Sequence, residues 1–165
     1  MRKGIRTTLG MLTTALTALV FVVAPAAAAG NTQISGVGTF ETANPPTRCT
    51  AFPSVISPII MTGDLVGCWY TTSSEVVHTT PSGGYRESGT ETFDGCLSDG
   101  TTCGTFSTTY QFEAKYAANG SEIHGHCEHP LVSGTGDFAG ITGQINMKDD
   151  VATGEFNYRG HFSLR

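Results

Sequence analysis

Apolar and polar residues alternate along most of the chain with the two-residue period of a β-strand. In FSTTYQFEAKY, residues 106–116, four aromatic residues fall on one face, while polar residues such as Glu113 and Lys115 fall on the other. The C-terminal segment GEFNYRGHFSL, residues 154–164, repeats this pattern. The other segments with strand-like patterning are residues 34–41, 63–70, 72–79, 85–95, 122–132 and 142–149. Turn-forming clusters such as PSGG and AANGS separate them, so the sequence predicts an all-β chain of eight strands with few or no helices.

A sheet of eight antiparallel strands has two exposed edges unless it closes on itself. Closure into a barrel removes both edges, and eight strands leave an interior just wide enough for packed side chains or one small ligand. We therefore expect an eight-stranded antiparallel closed barrel, with any functional site in the lumen or at its mouth. The proline-rich stretch NPPTRCTAFPSVISP, residues 44–58, is predicted to form one long ordered loop.

The first 29 residues have the pattern of a secretory signal peptide. Three basic residues precede an apolar run over residues 9–23, and an alanine tract follows it. The run is shorter than the about 20 residues that a membrane span needs, so no stable membrane anchor is expected. The sequence thus predicts cleavage near Ala29, a secreted protein, and a single barrel domain over residues 30–165.

The chain is acidic, with nine Lys and Arg residues against fourteen Asp and Glu residues and a formal net charge of −5. Loss of residues 1–29 removes three basic residues and no acidic ones, which leaves a charge of about −8. The remaining basic residues are scattered: Arg48, Arg86, Lys115, Lys148, Arg159 and Arg165. A nucleic-acid-binding surface needs clustered Lys and Arg, so no nucleic-acid partner is expected.

Five cysteines in an exported chain indicate disulfides, with one cysteine left over. Cys96 and Cys103 bracket the turn-rich loop LSDGTT and form the first predicted pair. Cys49, Cys68 and Cys127 compete for a second bridge. Metal ligation is disfavoured because the chain has no CxxC spacing, and no metal site is predicted.

Residues 132–145, VSGTGDFAGITGQI, place four glycines around one phenylalanine. The residues of this structural motif are Gly134, Gly136, Asp137, Phe138, Gly140 and Gly143. Glycines permit tight reversals, Asp137 is suited to cap a single helical turn, and Phe138 is expected to plug one end of the barrel. A phosphate-binding loop is disfavoured because no helix follows and no lysine is near.

The run GTGDFAGITG, residues 134–143, resembles the glycine-rich segment of allene oxide cyclase and dirigent barrels. The segments GTETFDG, residues 89–95, and GTF, residues 104–106, are similar to recurrent segments of bacterial barrels of the same class that are known only as domains of unknown function. The resemblance covers roughly residues 85–164 and implies a closed barrel. It implies no single activity, because such barrels include cyclases, stereochemical guides and uncharacterised members. The catalytic residues of the cyclases lie outside these segments, so none is assigned here, and the extra cysteines depart from the cytosolic pattern.

Two acidic residues, Glu87 and Glu91, are the candidate catalytic groups, because strand phase turns both inward beside aromatic residues. A carboxyl group in such surroundings loses hydration, which raises its pKa and suits it to proton transfer near neutral pH. The two lie about 13 Å apart along the strand, so at most one is expected to be the site. Alternatively Glu87 sits at a wet rim, Gly89 marks a bulge that reverses the phase, or Glu91 is a structural hydrogen-bond acceptor.

Aromatic side chains on the inward faces supply the predicted lumen wall. They are Trp69, Tyr85, Tyr110, Phe112 and Tyr158. The same side chains would serve as packed core or as contacts for a lumen ligand, and the sequence does not separate these roles.

The segment EIHGHCEHP concentrates histidines on one predicted strand. His124, His126 and Glu128 share its polar face, which is a workable half of a zinc site, although surface histidines are the favoured interpretation. Cys127 and His129 lie on the opposite face and form a conceivable nucleophile pair, but no third, orienting group is identifiable.

Two functional hypotheses follow from these observations. The favoured one is a secreted barrel that binds a small apolar ligand in its lumen or serves a non-catalytic extracellular role. The alternative is a cofactor-free cyclase or isomerase that acts on a polyene or polyketide-like small molecule, with a lumen glutamate as proton donor or acceptor. Neither hypothesis calls for a cofactor.

Overall fold

The computed structural model describes residues 30–165, and the predicted signal peptide lies outside these residues. The strands are β1 Thr32–Phe40, β2 Ile59–Gly63, β3 Leu65–Thr79, β4 Gly84–Leu97, β5 Cys103–Tyr116, β6 Glu122–Gly134, β7 Thr142–Asp150 and β8 Glu155–Ser163. Each strand pairs antiparallel with the next along the chain, and β8 pairs with β1. The predicted all-β, eight-stranded antiparallel closed barrel is therefore confirmed. Over residues 30–165 there is no helix with the length and apolar character that a membrane crossing requires.

The second and third strands differ from the prediction. The sequence pattern divided residues 63–79 into two strands, whereas the structure has one long strand, β3, with a register irregularity between Thr71 and Ser73. Such an irregularity shifts the alternation without ending the pairing, so in the sequence it resembles a turn. The missed strand is β2, which is only five residues long and follows the proline-rich stretch. Gly63, with φ +99°, then permits the reversal into β3.

One end of the barrel is closed by Phe138, whose exposed fraction is 0%. This residue ends a single 3-10 turn, Gly136–Phe138, between β6 and β7. Its ring centroid lies 5.4 Å from that of Phe106 and 6.4 Å from that of Phe162. Gly136 has φ +60°, a conformation that other residues adopt at a cost, so glycine lets the chain turn tightly enough to bring the ring inside.

Asp137 does not cap this turn, and the prediction that it would is wrong. Thr135 occupies the N-cap position, and no side chain makes a capping hydrogen bond there. The Asp137 carboxylate instead accepts a hydrogen bond of 2.9 Å from the backbone N–H of Cys103. The side chain reaches Cys103 because the turn lies directly against the start of β5. Asp137 thus fastens the turn to the neighbouring strand.

Two disulfides are present, and all five cysteines lie within the described residues. The predicted Cys96–Cys103 bridge is confirmed and joins the end of β4 to the start of β5. The second bridge, which the sequence left open, is Cys49–Cys68, and it ties the loop before β2 to β3. Cys127 remains unpaired and is buried.

The loop over residues 41–58 is organised around the carboxylate of Glu41. This carboxylate accepts hydrogen bonds from three consecutive backbone N–H groups, residues 47–49, at 2.7, 2.8 and 2.9 Å. These bonds, led by the one from Arg48, outweigh desolvation and lower the pKa of Glu41 to about 2. The loop is therefore ordered, and its residue Ile56 reaches the end of the barrel opposite Phe138.

Candidate functional site

A cavity of about 290 Å³ occupies the end of the barrel opposite Phe138, and we call it the lumen cavity. Its wall includes Tyr85 near the start of β4, Tyr116 at the end of β5 and Phe156 near the start of β8. Phe138 packs at the other ends of β5 and β8. The lumen cavity therefore has a floor in the middle of the barrel and a mouth beside the loop over residues 41–58. Its volume is near the lower end of the about 300–1,000 Å³ typical of small-molecule sites.

A wider depression of about 890 Å³ lies on the loop itself, outside the barrel. It is formed within residues 40–58 and contains neither Glu87 nor Glu91. Because it lacks both candidate carboxyl groups and is open to solvent, we take the lumen cavity as the candidate site.

Aromatic side chains form most of the apolar wall of the lumen cavity. They are Phe40, Tyr85, Tyr110, Phe112, Tyr116 and Phe156. Tyr85, Tyr110 and Phe112 belong to the predicted lumen set. The alternating pattern also placed Tyr116 and Phe156 on the apolar faces of their strands, but the predicted lumen set included neither of them nor Phe40. Aromatic rings supply large apolar contact areas at fixed positions, which suits a wall that contacts a ligand.

Trp69 and Tyr158, the other two predicted lumen residues, do not line the cavity. Trp69 is fully buried among the packed rings at the closed end, with its centroid 5.6 Å from that of Phe106. The Tyr158 hydroxyl accepts a hydrogen bond of 2.7 Å from the backbone N–H of Leu65 and donates one of 3.1 Å to the carbonyl of Thr62. Both side chains point into the barrel, but they lie in the part of the interior that packed side chains fill, beyond the floor of the cavity.

Glu91 lies at the floor of the lumen cavity with an exposed fraction of 6%. Its Oε2 accepts a hydrogen bond of 2.7 Å from the indole N–H of Trp69, and its Oε1 accepts one of 3.0 Å from the hydroxyl of Thr71. His129 Nε2 lies 3.0 Å from the same Oε2. Glu91 is thus a structural hydrogen-bond acceptor, which was one of the alternatives from the sequence. It also faces the cavity beside His129.

His129 connects Glu91 to the opposite wall, and its contacts fix the number of protons in the pair. Its Nδ1 lies 3.2 Å from the carbonyl oxygen of Ile145, and a carbonyl only accepts, so Nδ1 carries a hydrogen. One further proton must then lie between Nε2 and Glu91 Oε2, since two bare acceptors at 3.0 Å would repel each other. The pair is either imidazolium with carboxylate or imidazole with carboxylic acid. In both forms it is neutral and holds one transferable proton at the cavity floor.

The sequence placed His129 on the inward face but did not connect it with Glu91. The two residues stand on β4 and β6, which are both neighbours of β5 but not of each other. A contact of this kind depends on barrel curvature, and strand periodicity carries no signal for it. The one available signal was a histidine at an inward position, where a buried ring nitrogen requires a polar partner.

Glu87 lies nearer the mouth than Glu91 and accepts hydrogen bonds of 2.5 Å from the hydroxyls of both Tyr85 and Tyr110. Desolvation acts against ionisation, but the bonds from Tyr110 and Tyr85 outweigh it and lower the pKa of Glu87. Burial and the Glu87 carboxylate together raise the pKa of Tyr85 to about 12. Glu87 is therefore an anion near neutral pH, which is the opposite of what a proton donor requires.

Gly89 does not reverse the phase of β4. Its pairing with Tyr110 of β5 is regular, and the irregularities in this part of the sheet separate Thr71 from Ser73 and Val76 from His78 on β3. A Cβ at Gly89 would lie 2.6 Å from the ring of Tyr110. Glycine at this position therefore makes room for the ring whose hydroxyl binds Glu87.

A second pair of carboxyl groups lies at the rim of the lumen cavity. Glu122, the first residue of β6, and Asp149, near the end of β7, both line it, and both side chains lie against the Cα of Gly125. Desolvation, followed by the hydrogen bond and charge of Glu122, raises the pKa of Asp149 to about 7. The sequence pattern does not indicate this pair, because neither residue stands in the clearest part of an alternating segment.

The three histidines of EIHGHCEHP lie on opposite faces of β6. His124 and His126 are exposed on the outer face, and over residues 30–165 no group of three or more His, Cys, Asp or Glu side chains could hold a metal ion. Cys127 lines the lumen cavity, and burial raises the pKa of its thiol. His129 cannot serve Cys127 as a base, because both of its ring nitrogens are engaged elsewhere.

Comparison with protein-family models, curated proteins and solved structures gives no significant match. The class of the protein therefore follows from its own geometry. It is a closed eight-stranded barrel, plugged at one end and hollow at the other.

Proposed function

We propose that the protein is an exported binding barrel that holds a small, largely apolar ligand in the lumen cavity. The observation that carries this proposal is the one-ended cavity with aromatic walls. A barrel of eight strands can be filled with side chains along its whole length, as this one is around Phe138. Here the packing stops at Glu91, and beyond it the rings border a space instead of filling it.

The distribution of polar groups in the cavity supports the same proposal. Small-molecule sites are mostly apolar, with a few polar groups at fixed positions that orient the ligand. In the lumen cavity these groups stand at three depths: Glu91 with His129 at the floor, Glu87 in the middle, and Asp149 at the rim. Export is supported by the two disulfides, since such bridges persist mainly in oxidising compartments.

A neutral fluorescent probe, N-phenyl-1-naphthylamine, tests the proposal directly. We expect saturable binding to the parent protein with one probe per chain. Cys127→Met lengthens a side chain that lines the cavity and should weaken binding at least tenfold. Ile123→Met changes an exposed residue of the same strand and should leave binding unchanged. Absence of saturable binding, or equal binding by the two variants, would refute the proposal.

A second candidate is a cofactor-free cyclase or isomerase acting on a polyene or polyketide-like molecule. The specific observation in its favour is the proton held between Glu91 and His129 at the floor of the cavity. An isomerisation needs one proton delivered to the substrate and one returned, with no net change in composition, and a neutral acid–base pair can do both. Glu87 is not suited to this role, because its tyrosine contacts keep it ionised.

The variant Glu91→Gln distinguishes the enzyme hypothesis from the binding hypothesis. In a conversion assay with polyene substrates, followed by chromatography of products of unchanged mass, this variant should lose at least about a hundredfold in rate. Its affinity for the neutral probe should stay within a fewfold of the parent value, and Glu113→Gln on the outer face should match the parent in both assays. A conversion that proceeds at full rate in Glu91→Gln would remove this role.

A further inference from the structure

The lumen cavity holds more negative charge than its own side chains can balance. Its acidic residues are Glu87, Glu91, Glu122 and Asp149. Among the described residues that line it, none is Lys or Arg. His129 is the one lining group able to carry a positive charge, and it is engaged by Glu91. Three acidic groups, one in the middle of the cavity and two at its rim, are therefore left without a cationic partner.

Glu87 is the clearest of these unbalanced charges. Its hydrogen bonds from Tyr85 and Tyr110 come from neutral hydroxyls, so they favour the anion without neutralising it. The basic side chains nearest along the two strands are engaged outside the barrel: Arg86 pairs with Glu113 at 2.9 Å, and Lys115 donates to the carbonyl of Ser82. Neither of these cations therefore balances the charge of Glu87, which lines the lumen cavity.

The rim adds two further acidic groups. Glu122 Oε1 is buried beside the Asp149 carboxyl group. Below about pH 7 the protonated Asp149, whose pKa is raised by burial and by its hydrogen bond with Glu122, supplies the donor for this pair. Above that pH both groups are ionised, and no donor to Glu122 Oε1 remains among the described residues. A buried acceptor without a donor is costly, and a ligand that brings an N–H group or a positive charge would then relieve that cost.

The wall around Glu87 has the geometry that organic cations favour. The ring of Tyr85 stands 6.1 Å from that of Phe112 and 5.8 Å from that of Tyr116, with interplanar angles of 64° and 84°. These three rings line the lumen cavity together with the Glu87 carboxylate. The negative faces of aromatic rings attract cations, and alkylated ammonium groups are bound by clusters of such rings.

We propose that the lumen cavity selects a small organic cation, an amine or quaternary ammonium group carried on an apolar body. The cationic group lies among Glu87, Tyr85 and Tyr116, and the apolar body extends toward the floor. This inference rests on the proposed function, because it narrows the class of ligand that the lumen cavity binds. Neutral molecules of the same shape bind more weakly, since they leave the carboxylates unbalanced.

The test uses two probes of the same shape that differ by one charge: phenyltrimethylammonium and its carbon isostere tert-butylbenzene. Dissociation constants are measured by NMR titration of the folded protein at pH 8, where Asp149 is ionised. We expect the cation to bind at least tenfold more tightly than the isostere. Glu87→Gln should reduce this preference at least fivefold, and Glu122→Gln serves as a second variant in case the first does not fold. Glu113→Gln, on the outer face, should keep the parent preference.

The outcomes distinguish this inference from the proposed function. If the cation binds more tightly than the isostere, and this preference falls in the Glu87 and Glu122 variants, the result supports both the inference and the proposed function. If the isostere binds as tightly as the cation, the inference is overturned while lumen binding stands. If neither probe binds, the proposed function fails together with the inference. If the cation binds more tightly but equally so in every variant, the charge preference comes from elsewhere and the inference is overturned.

Discussion

His129 Nε2 lies 3.0 Å from Glu91 Oε2, although the two residues stand on strands that are not neighbours in the sheet. Both side chains are almost wholly buried. Replacing Glu91 with alanine would leave His129, the Trp69 indole N–H and the Thr71 hydroxyl without their acceptor. Breaking a buried pair in this way costs about 3 to 5 kcal/mol, which urea unfolding of the oxidised protein at pH 7 would measure.

The matched control for this variant is Glu113→Ala. Glu113 pairs with Arg86 at 2.9 Å, but both side chains are exposed, so the loss should be about 1 kcal/mol or less. Equal losses for Glu91→Ala and Glu113→Ala would mean that the lumen pair contributes no more than a surface ion pair, contrary to our account.

The aromatic plug should be a major source of stability. Phe138→Ala removes a fully buried ring from a cluster that includes Phe106 and Phe162, and we expect a loss of about 3 to 5 kcal/mol. Phe52→Ala, which truncates a partly exposed ring on the loop, should cost clearly less. Thermal unfolding monitored by near-ultraviolet circular dichroism would measure both. A Phe138→Ala protein as stable as the Phe52→Ala protein would show that the end of the barrel does not depend on the plug.

The Asp149–Glu122 pair should make stability depend on pH. The pKa of Asp149 is about 7 in the folded state, against an ordinary value of 3.8. Between about pH 4 and pH 7 the unfolded chain has released this proton while the folded protein retains it, so stability falls as pH rises and levels off above pH 7.

Asp149→Asn should remove this part of the pH dependence. We expect the variant to gain about 1 to 2 kcal/mol on the parent between pH 4 and pH 8, a reduced figure because the group is only partly buried. Urea unfolding across this range measures the difference, with Glu128→Gln on the exposed face of β6 as control. A parallel pH profile for Asp149→Asn and the parent would contradict the raised pKa.

The pattern of disulfides predicts a simple count of reactive thiols. The native protein should show none with a thiol reagent, because Cys127 is buried and its pKa is raised. In urea without reductant one thiol should react, and after reduction all five cysteines should react. Three thiols in unreduced, unfolded protein would mean that Cys49–Cys68 or Cys96–Cys103 is absent. A fast-reacting thiol in the native protein would mean that the lumen cavity is more open than described.

The sequence predicts the fold well because the period-two pattern reports directly on which side of a strand each residue faces. That pattern also turned Glu87 and Glu91 inward, where the structure places them. It failed at β2, since a five-residue strand is too short to establish a period. It also failed at Thr71, where an irregularity in the pairing of β3 interrupts the alternation, so one strand was predicted as two.

The site was harder to predict because it depends on two things: whether a side chain points into the barrel, and how far along the barrel axis it lies. Trp69 and Tyr110 both face inward, yet one is packed beneath the floor and the other borders the lumen cavity. Positions near the end that Phe138 closes are packed, and positions near the other end border the cavity. Alternation within a strand does not indicate which end a residue is near. Contacts between strands that are not neighbours, such as Glu91 with His129, are hidden from the sequence for the same reason.

The proposed function requires that the lumen cavity is a ligand site. Native mass spectrometry of the protein purified from its producing cells tests this requirement most directly. We predict a folded species heavier than the chain by the mass of one small molecule. The added mass should be diminished in Cys127→Met and retained in Ile123→Met. A spectrum showing only the mass of the chain, or an added mass retained equally by both variants, would contradict the account.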